Sequence, residues 1–253
     1  MKYFWLNFHL SYRCRHVGAC CTAGWPIPVE PERAVLIEKG EWLAAGGVLP
    51  VTESGECVFH QDGCAVYEHR PLSCMHFPYV CMIDPRGVHV TLSHYCPTAA
   101  SLLFEHRGPI EVVEGPSPVP LLEIPEGLDA RESLPPLREP SASPRSQAPR
   151  AALMSWEEFA QWERDELKTL PTLIGDALFA DVIERYLAAK LFASWAMYED
   201  DDGVAAVRKY VRAAYLRLRE EMELGVLAAE RPLDAAILLD AIRRVDFGLF
   251  HLR

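Results

Sequence analysis

Cysteine is the residue type through which this sequence can do chemistry. All eight cysteines lie within the first 96 of 253 residues, and the rest of the chain has none, so the thiols serve one local structure. Thiolates bind soft and borderline metals, and four of them can close a tetrahedral zinc site or hold an iron–sulfur cluster. All eight are candidate metal ligands: Cys14, Cys20, Cys21, Cys57, Cys64, Cys74, Cys81 and Cys96.

The spacing of the cysteines excludes three common arrangements. It runs C-x5-C-C and then C-x6-C-x9-C-x6-C-x14-C, without one CxxC pair. A zinc ribbon needs two CxxC knuckles, and a thioredoxin-like redox centre needs one. A radical S-adenosylmethionine enzyme needs CxxxCxxC. Adjacent Cys20 and Cys21 could form a mutual disulfide only with strain. Metal ligation is therefore favoured over disulfides or free thiols.

Composition narrows the partners and the compartment. The net charge of -11 argues against a nucleic-acid partner, because binding phosphates requires a basic surface. The sequence contains no run of 18 or more apolar residues, so it predicts no membrane span. The apolar start of the chain is interrupted by Asn7 and His9 and does not resemble a signal peptide. We expect a cytoplasmic protein, where reducing conditions favour metal-bound thiols.

Short strands and turns are predicted to position the cysteines. Alternating apolar residues over 4–12 predict a half-buried strand that leads to Cys14. A short helix is predicted to begin near Pro31 and run toward Gly40. Two hairpins follow, with turns at residues 60–63 and 84–87. Such turns hold cysteines close together without a large core.

The second half of the chain has a different character. Repeated prolines over 109–149 exclude a long helix or a central strand, and residues 135–150 are typical of a flexible linker. Ser155 and Glu158 form a capping box that opens a helix. Apolar residues then repeat at helical spacing, with no polar cluster among them, which predicts a bundle serving as a scaffold or interaction surface. The further predicted helices cover 173–195, 204–224 and 232–247.

Together these patterns predict an α+β protein. A small, turn-rich, metal-stabilised cysteine-cluster domain with short β-hairpins is expected over 1–108. A proline-rich extended segment or linker covers 109–150, and an α-helical bundle covers 151–253.

Two motifs resemble those of a cysteine-cluster family of zinc- or iron-chelating proteins. Residues 14–21, CRHVGACC, are similar to its CxxCGxCC signature. Residues 57–78 are similar to its second signature, C…C-x-[IV]-Y-x-x-R-P-x-x-C-x-x-F-P. The resemblance covers residues 1 to about 100 and implies a metal-binding domain. Val17 stands where the family has its second cysteine; His16 either replaces that ligand or, the favoured interpretation, is an exposed histidine beside the metal loop.

A finer resemblance is to the flagellin lysine-N-methylase branch. There the twin cysteines are followed by Gly-Trp, as in Gly24-Trp25, and the cluster ends in a segment similar to residues 92–97, LSHYCP. This chain is considerably shorter than those methylases. The resemblance implies an S-adenosylmethionine-dependent enzyme that acts on a protein substrate. The alternative is a non-catalytic module for metal handling, sensing or electron transfer, so enzymatic activity stays open.

Several thiols in one loop set favour a particular cofactor. Adjacent thiolates suit a multinuclear centre, so an iron–sulfur cluster of the [4Fe–4S] type is preferred over zinc. Cys81 lies outside the best-matched motif and is the best candidate for a spare thiol. Arg70 is a candidate to stabilise the negative charge of the cluster; alternatively it pairs with an acidic residue. The roles of four histidines stay open between ligand, support for a ligand and surface residue: His60, His69, His76 and His94.

Overall fold

Short strands and turns form the N-terminal region of this computed structural model, and long helices form the C-terminal region, so the predicted α+β class is confirmed. It describes residues 2–34, 36–37, 47–84, 87–118, 165, 176–193 and 203–250. The strands are β1 (Tyr3–Leu6), β2 (Tyr79–Asp84), β3 (Gly87–Leu92) and β4 (Val112–Gly115). The helices are α1 (Pro31–Ala34), α2 (Leu72–His76), α3 (Pro97–Glu105), α4 (Asp176–Ala193), α5 (Gly203–Ala229) and α6 (Ala235–Phe250).

The four strands form one sheet in the order β2-β3-β1-β4. β1 runs parallel to β3 and antiparallel to β4. β2 and β3 form the second predicted hairpin, which is confirmed, with Tyr79 opposite Leu92 and Asp84 opposite Gly87. Residues 85 and 86 of its turn lie outside the described residues. The sheet thus brings the start of the chain beside the strand that leads to Cys96.

The first strand is shorter and more buried than the sequence predicts. It ends at Leu6, and the chain then coils into a 3₁₀ turn at Asn7–His9. Phe4 and Leu6 belong to the main core, while Trp5 belongs to a second apolar cluster. The prediction of a half-buried strand is therefore wrong, because both faces of β1 are covered.

Of the first predicted hairpin, the turn forms and the strands do not. His60 and Cys64 make an isolated antiparallel bridge around the turn. Asp62 and Gly63 have φ angles of 52° and 148°, which an Asp-Gly pair tolerates. The ladder does not continue, because Cys57 bridges to Val51 instead and the chain coils into a 3₁₀ turn at Tyr67–His69.

One hydrophobic core contains residues from both halves of the chain. Side chains of β1 and α3 pack in a single cluster with those of α4, α5 and α6. The three predicted helices after residue 173 correspond to α4, α5 and α6, whereas the predicted capping box at Ser155 lies outside the described residues. None of the helices described is long and apolar enough to cross a lipid bilayer. The division into three domains stays a prediction.

A buried charged cluster interrupts the helix faces, so the prediction of uninterrupted apolar faces is wrong. Asp246 of α6 is fully buried and accepts hydrogen bonds from Lys190 Nζ (2.5 Å) and the Tyr186 hydroxyl (2.8 Å). Its other oxygen accepts the backbone N–H of His94 (2.5 Å). Burial alone would raise the pKa of Asp246, but Lys190 and His94 hold that pKa well below its usual range. The carboxylate therefore stays ionised and joins two helices to the segment before Cys96.

We expect Lys190→Met to destabilise the fold by about 3–5 kcal/mol, because it leaves the buried Asp246 charge without its cation. Chemical denaturation measures the free energy of unfolding. Lys2→Met is the control, since it removes the exposed Lys2–Glu114 pair, which contributes at most about 1 kcal/mol. Similar losses in the two variants would contradict a stabilising role for the buried pair.

Candidate metal centre

A cavity that is open to solvent lies among the turns of the N-terminal region. Aromatic and aliphatic side chains, among them Tyr12, Ile27 and Phe77, complete its wall. Cys81 lies elsewhere, in β2, where it packs against the apolar cluster of Trp5, and burial raises the pKa of its thiol to about 12. Seven of the eight cysteines line the cavity: Cys14, Cys20, Cys21, Cys57, Cys64, Cys74 and Cys96.

A tight turn places the adjacent cysteines at the cavity. The backbone N–H of Cys21 donates to the carbonyl of Gly18 (2.8 Å), and Gly18 has a φ of 75°. A Cβ at Gly18 would clash with the ring of His60, so the loop packs against the His60 turn only with glycine there. The backbone N–H of Cys57 donates to the carbonyl of Cys21 (2.7 Å), which joins the two cysteine loops directly.

Two short helices present the later cysteines. Cys74 lies on α2, whose first N–H, that of Leu72, donates to the carboxylate of Glu30 (3.1 Å). A carboxylate at that end accepts a hydrogen bond from an otherwise unpaired N–H and interacts favourably with the helix dipole. Cys96 is the N-cap of α3, and Pro97 follows at the first helical position.

Three thiols form a hydrogen-bonded group, defined by Cys20, Cys21 and Cys64. The Sγ atoms of Cys20 and Cys21 are 4.0 Å apart. Hydrogen bonding with the Cys21 thiol, together with a smaller effect of the nearby Arg70 guanidinium, lowers the pKa of Cys20 to about 7 and that of Cys64 to about 6. The same hydrogen bonds raise the pKa of Cys21. Cys20 and Cys64 therefore lose their protons more readily than an ordinary thiol.

The remaining buried thiols are protonated more firmly. Burial raises the pKa of Cys57 and Cys96, and raises that of Cys74 to about 12. The Cys96 Sγ lies 3.7 Å from the hydroxyl of Tyr12, within hydrogen-bonding distance for sulfur. Sequence reasoning treated Tyr12 only as an apolar strand residue, and its spacing carries no signal of this contact.

Arg70 lies where its predicted role requires a cation. It lines the cavity, and its guanidinium sits over the ring of Tyr67, 3.8 Å from the ring centroid. Its charge favours ionised Cys20 and Cys64. This position suits stabilisation of thiolates.

The histidines divide between the cavity and the core. His16 lines the cavity beside Val17, and its ring centroid is 4.3 Å from that of Tyr67. His94 is fully buried in the Asp246 cluster, and its Nε2 lies 3.1 Å from Nε2 of His9. His16 thus lies exposed beside the cysteine loop, as the favoured interpretation predicts, and its role as a ligand stays a prediction, while His94 acts in the packing between the two halves.

The donor set fits a thiolate-bound metal centre. Seven thiols surround one cavity, and soft metals select such ligands. Among the residues that the structure describes, no three His, Cys, Asp or Glu side chains are close enough together to hold a metal ion as they stand. Metal binding therefore requires the thiol side chains to converge on the cavity.

Comparison with known proteins agrees with this arrangement. Residues 13–97 match the CxxCxxCC family, described as "Putative zinc- or iron-chelating domain". The match contains every cysteine of the chain, so metal binding by this region is supported by both the geometry and the family.

The chain is also similar to the uncharacterized protein MJ0939 of Methanocaldococcus jannaschii. The two are 30% identical over 103 residues, which are 34% of this chain and 36% of MJ0939. The chain thus matches about a third of that relative's length. No solved structure matches the chain.

In the metal-free protein at pH 7, we expect iodoacetamide to alkylate Cys64 and Cys20 much faster than Cys74. The thiolate is the reactive form, and the pKa values of about 6 for Cys64 and about 7 for Cys20 leave a much larger ionised fraction than the pKa of about 12 for Cys74. Their rates should fall as the pH drops through each pKa. Peptide mass spectrometry after timed alkylation measures each site.

Arg70→Gln should shift both alkylation profiles to higher pH, because it removes a cation that favours the thiolates. Arg15→Gln is the matched control, since Arg15 pairs with Glu105 on the surface.

Equal reactivity of Cys64 and Cys74 at pH 7 would show that the hydrogen-bonded group does not form in solution.

Proposed function

We propose that this protein holds an iron–sulfur cluster of the [4Fe–4S] type in its cysteine-lined cavity. The observation that carries the proposal is that seven thiols line one cavity and that two of them, Cys20 and Cys21, are adjacent, because adjacent thiolates in a cysteine-rich set of loops suit a multinuclear centre. When bound, such a cluster supplies one-electron redox chemistry.

The protonation of the thiols supports this function. Metals bind thiolates, so each ligand must lose its proton on binding. Cys20 and Cys64 have lowered pKa values, which reduces that cost at the hydrogen-bonded group. Arg70 is suited to offset the negative charge that accumulates when several thiolates share one centre. Cys57, Cys74 and Cys96 lose their protons only when a metal replaces them.

A zinc centre is the second candidate. The description of the matched family names zinc as well as iron. Zinc would use four of the cavity thiols, as a single [4Fe–4S] cluster would, so the elemental and sulfide content of the protein decides between the two centres.

A lysine N-methyltransferase that uses S-adenosylmethionine is the candidate from a different class. The residues behind that resemblance have packing roles here: Trp25 contacts Phe77 and Tyr95, and Cys96-Pro97 begins α3. These roles account for the motif without catalysis, so metal binding has the stronger support. Binding of S-adenosylmethionine by the metal-loaded protein, followed by methylation of a lysine in a protein substrate, would favour the enzyme instead.

Protein purified without air should contain iron and acid-labile sulfide and absorb visible light through sulfur-to-iron charge transfer. Elemental analysis and absorption spectroscopy measure both properties. Stoichiometric zinc without sulfide would contradict the iron–sulfur cluster and favour the zinc centre.

Cys64→Ser should lose most of the bound metal, because a hydroxyl replaces the thiol with the lowest pKa of the hydrogen-bonded group. Cys81→Ser is the matched control and should keep the full metal content, since Cys81 lies in β2 away from the cavity. Equal metal loss from the two variants would contradict the assignment of the site to the cavity.

A further inference from the structure

One face of α6 contacts the segment that leads to Cys96. Arg243, Asp246 and Phe247 stand at positions i, i+3 and i+4, so they share one side of the helix. Arg243 Nε donates to the carbonyl of Tyr95 (3.0 Å), and Asp246 accepts the N–H of His94. Two successive residues before Cys96 are thus bonded to the same helix.

Phe247 extends these contacts to the other cysteine loops through an aromatic cluster, defined by Trp25, Phe77, Tyr95 and Phe247. The Phe247 ring stacks against Trp25 (6.2 Å between centroids, 19° between planes) and lies 4.9 Å from Tyr95. The ring centroids of Trp25 and Phe77 are 5.5 Å apart, as are those of Trp25 and Tyr95.

Each N-terminal member of the cluster lies close in sequence to a cavity cysteine. Trp25 follows the twin cysteines by four residues, Phe77 follows Cys74 by three, and Tyr95 directly precedes Cys96. The three cysteine-bearing segments therefore meet at the side of α6, although they are far apart in sequence. Movement of α6 would change the spacing of all three.

The helix itself is fixed in the core. Ile242 and Val245 are 0% and 2% exposed, and Asp246 is bonded to Lys190 of α4. Side chains that orient metal ligands need such rigid support, because small displacements weaken a metal site.

We propose that α6 acts as a clamp for the metal centre, with Arg243 and Phe247 as positioning residues that set the spacing of the cysteine segments. This inference rests on the proposed function and gives the helical half a role in it. Residues that support metal ligands typically change the affinity for metal by about 10–100-fold when mutated. Arg243 supports the residue next to Cys96: its Nε donates to the Tyr95 carbonyl, and its guanidinium lies 5.4 Å from the centroid of the Tyr95 ring.

The test compares two neighbouring arginines of α6 in the full chain. Both arginines pair with Asp240, but Arg243→Met also removes the contacts with Tyr95, whereas Arg244→Met also removes a pair with Glu221 of α5. Each reduced, metal-free protein is titrated with Co²⁺ alone, because thiolate-to-cobalt absorption reports on the number and arrangement of thiolate ligands. The free energy of unfolding is measured in parallel.

Arg243→Met should weaken cobalt binding by about tenfold or more and alter the charge-transfer spectrum. Arg244→Met should match the wild type in both. Phe247→Leu removes the ring that stacks on Trp25. It should shift the thiolate-to-cobalt absorption bands in the same direction as Arg243→Met does.

Two negative results are distinguishable. If the wild type shows no thiolate–cobalt absorption, the cysteine segments are not held together as a thiolate site and the clamp is contradicted, whereas the iron–sulfur cluster is tested separately by the iron and sulfide content. If the wild type binds cobalt and the variants at Arg243 and Phe247 keep its affinity and spectrum, only the clamp is contradicted. A spectrum altered at unchanged stability of the fold supports the clamp, because a purely structural role would not move the absorption alone.

Discussion

The fold depends on one buried carboxylate. Asp246 of α6 accepts hydrogen bonds from the Lys190 ammonium, the Tyr186 hydroxyl and the backbone N–H of His94. Two of these donors lie on α4, and the third lies in the segment before Cys96. An ionised group away from water is tolerable only when such partners compensate its lost hydration. Because a partial set of partners would be costly, α4, α6 and the segment before Cys96 must assemble together.

That constraint connects a conventional helical core to a region with little core of its own. Among the residues described, the turns around the cavity pack on two small apolar clusters, one centred on Val29, Ile37 and Leu49 and the other on Tyr12, Leu92 and Ala99. Hydrogen bonds between loops, such as the one from Cys57 to Cys21, do part of the work that packing does elsewhere. A metal bound by the surrounding thiols would supply the rest, which is how small cysteine-rich domains without large cores are stabilised.

Sequence patterns predicted the features whose causes are local. The Asp-Pro-Arg-Gly turn predicted the β2–β3 hairpin, and helical periodicity predicted α4 to α6. Two motifs predicted a chelating region, which the family match at 13–97 supports. The Asp246 cluster could not be predicted, because Lys190 and His94 are 56 and 152 residues away and each stands alone in its own pattern. The prediction of strands on both sides of residues 60–63 was wrong, because Cys57 forms its bridge with Val51 instead.

The parallel pairing of β1 with β3 has a topological consequence. Neighbouring parallel strands need a crossover connection, and a helix packed on the sheet usually provides it. Here the connection is the cysteine region itself, and, apart from β2, the regular elements in its described part are helices and turns of three to five residues. Bound metal would take the place of the crossover helix. Pairing of β1 with β3 and binding of metal would then be thermodynamically coupled. The paired strands would raise the affinity for metal, and bound metal would stabilise the pairing of the strands.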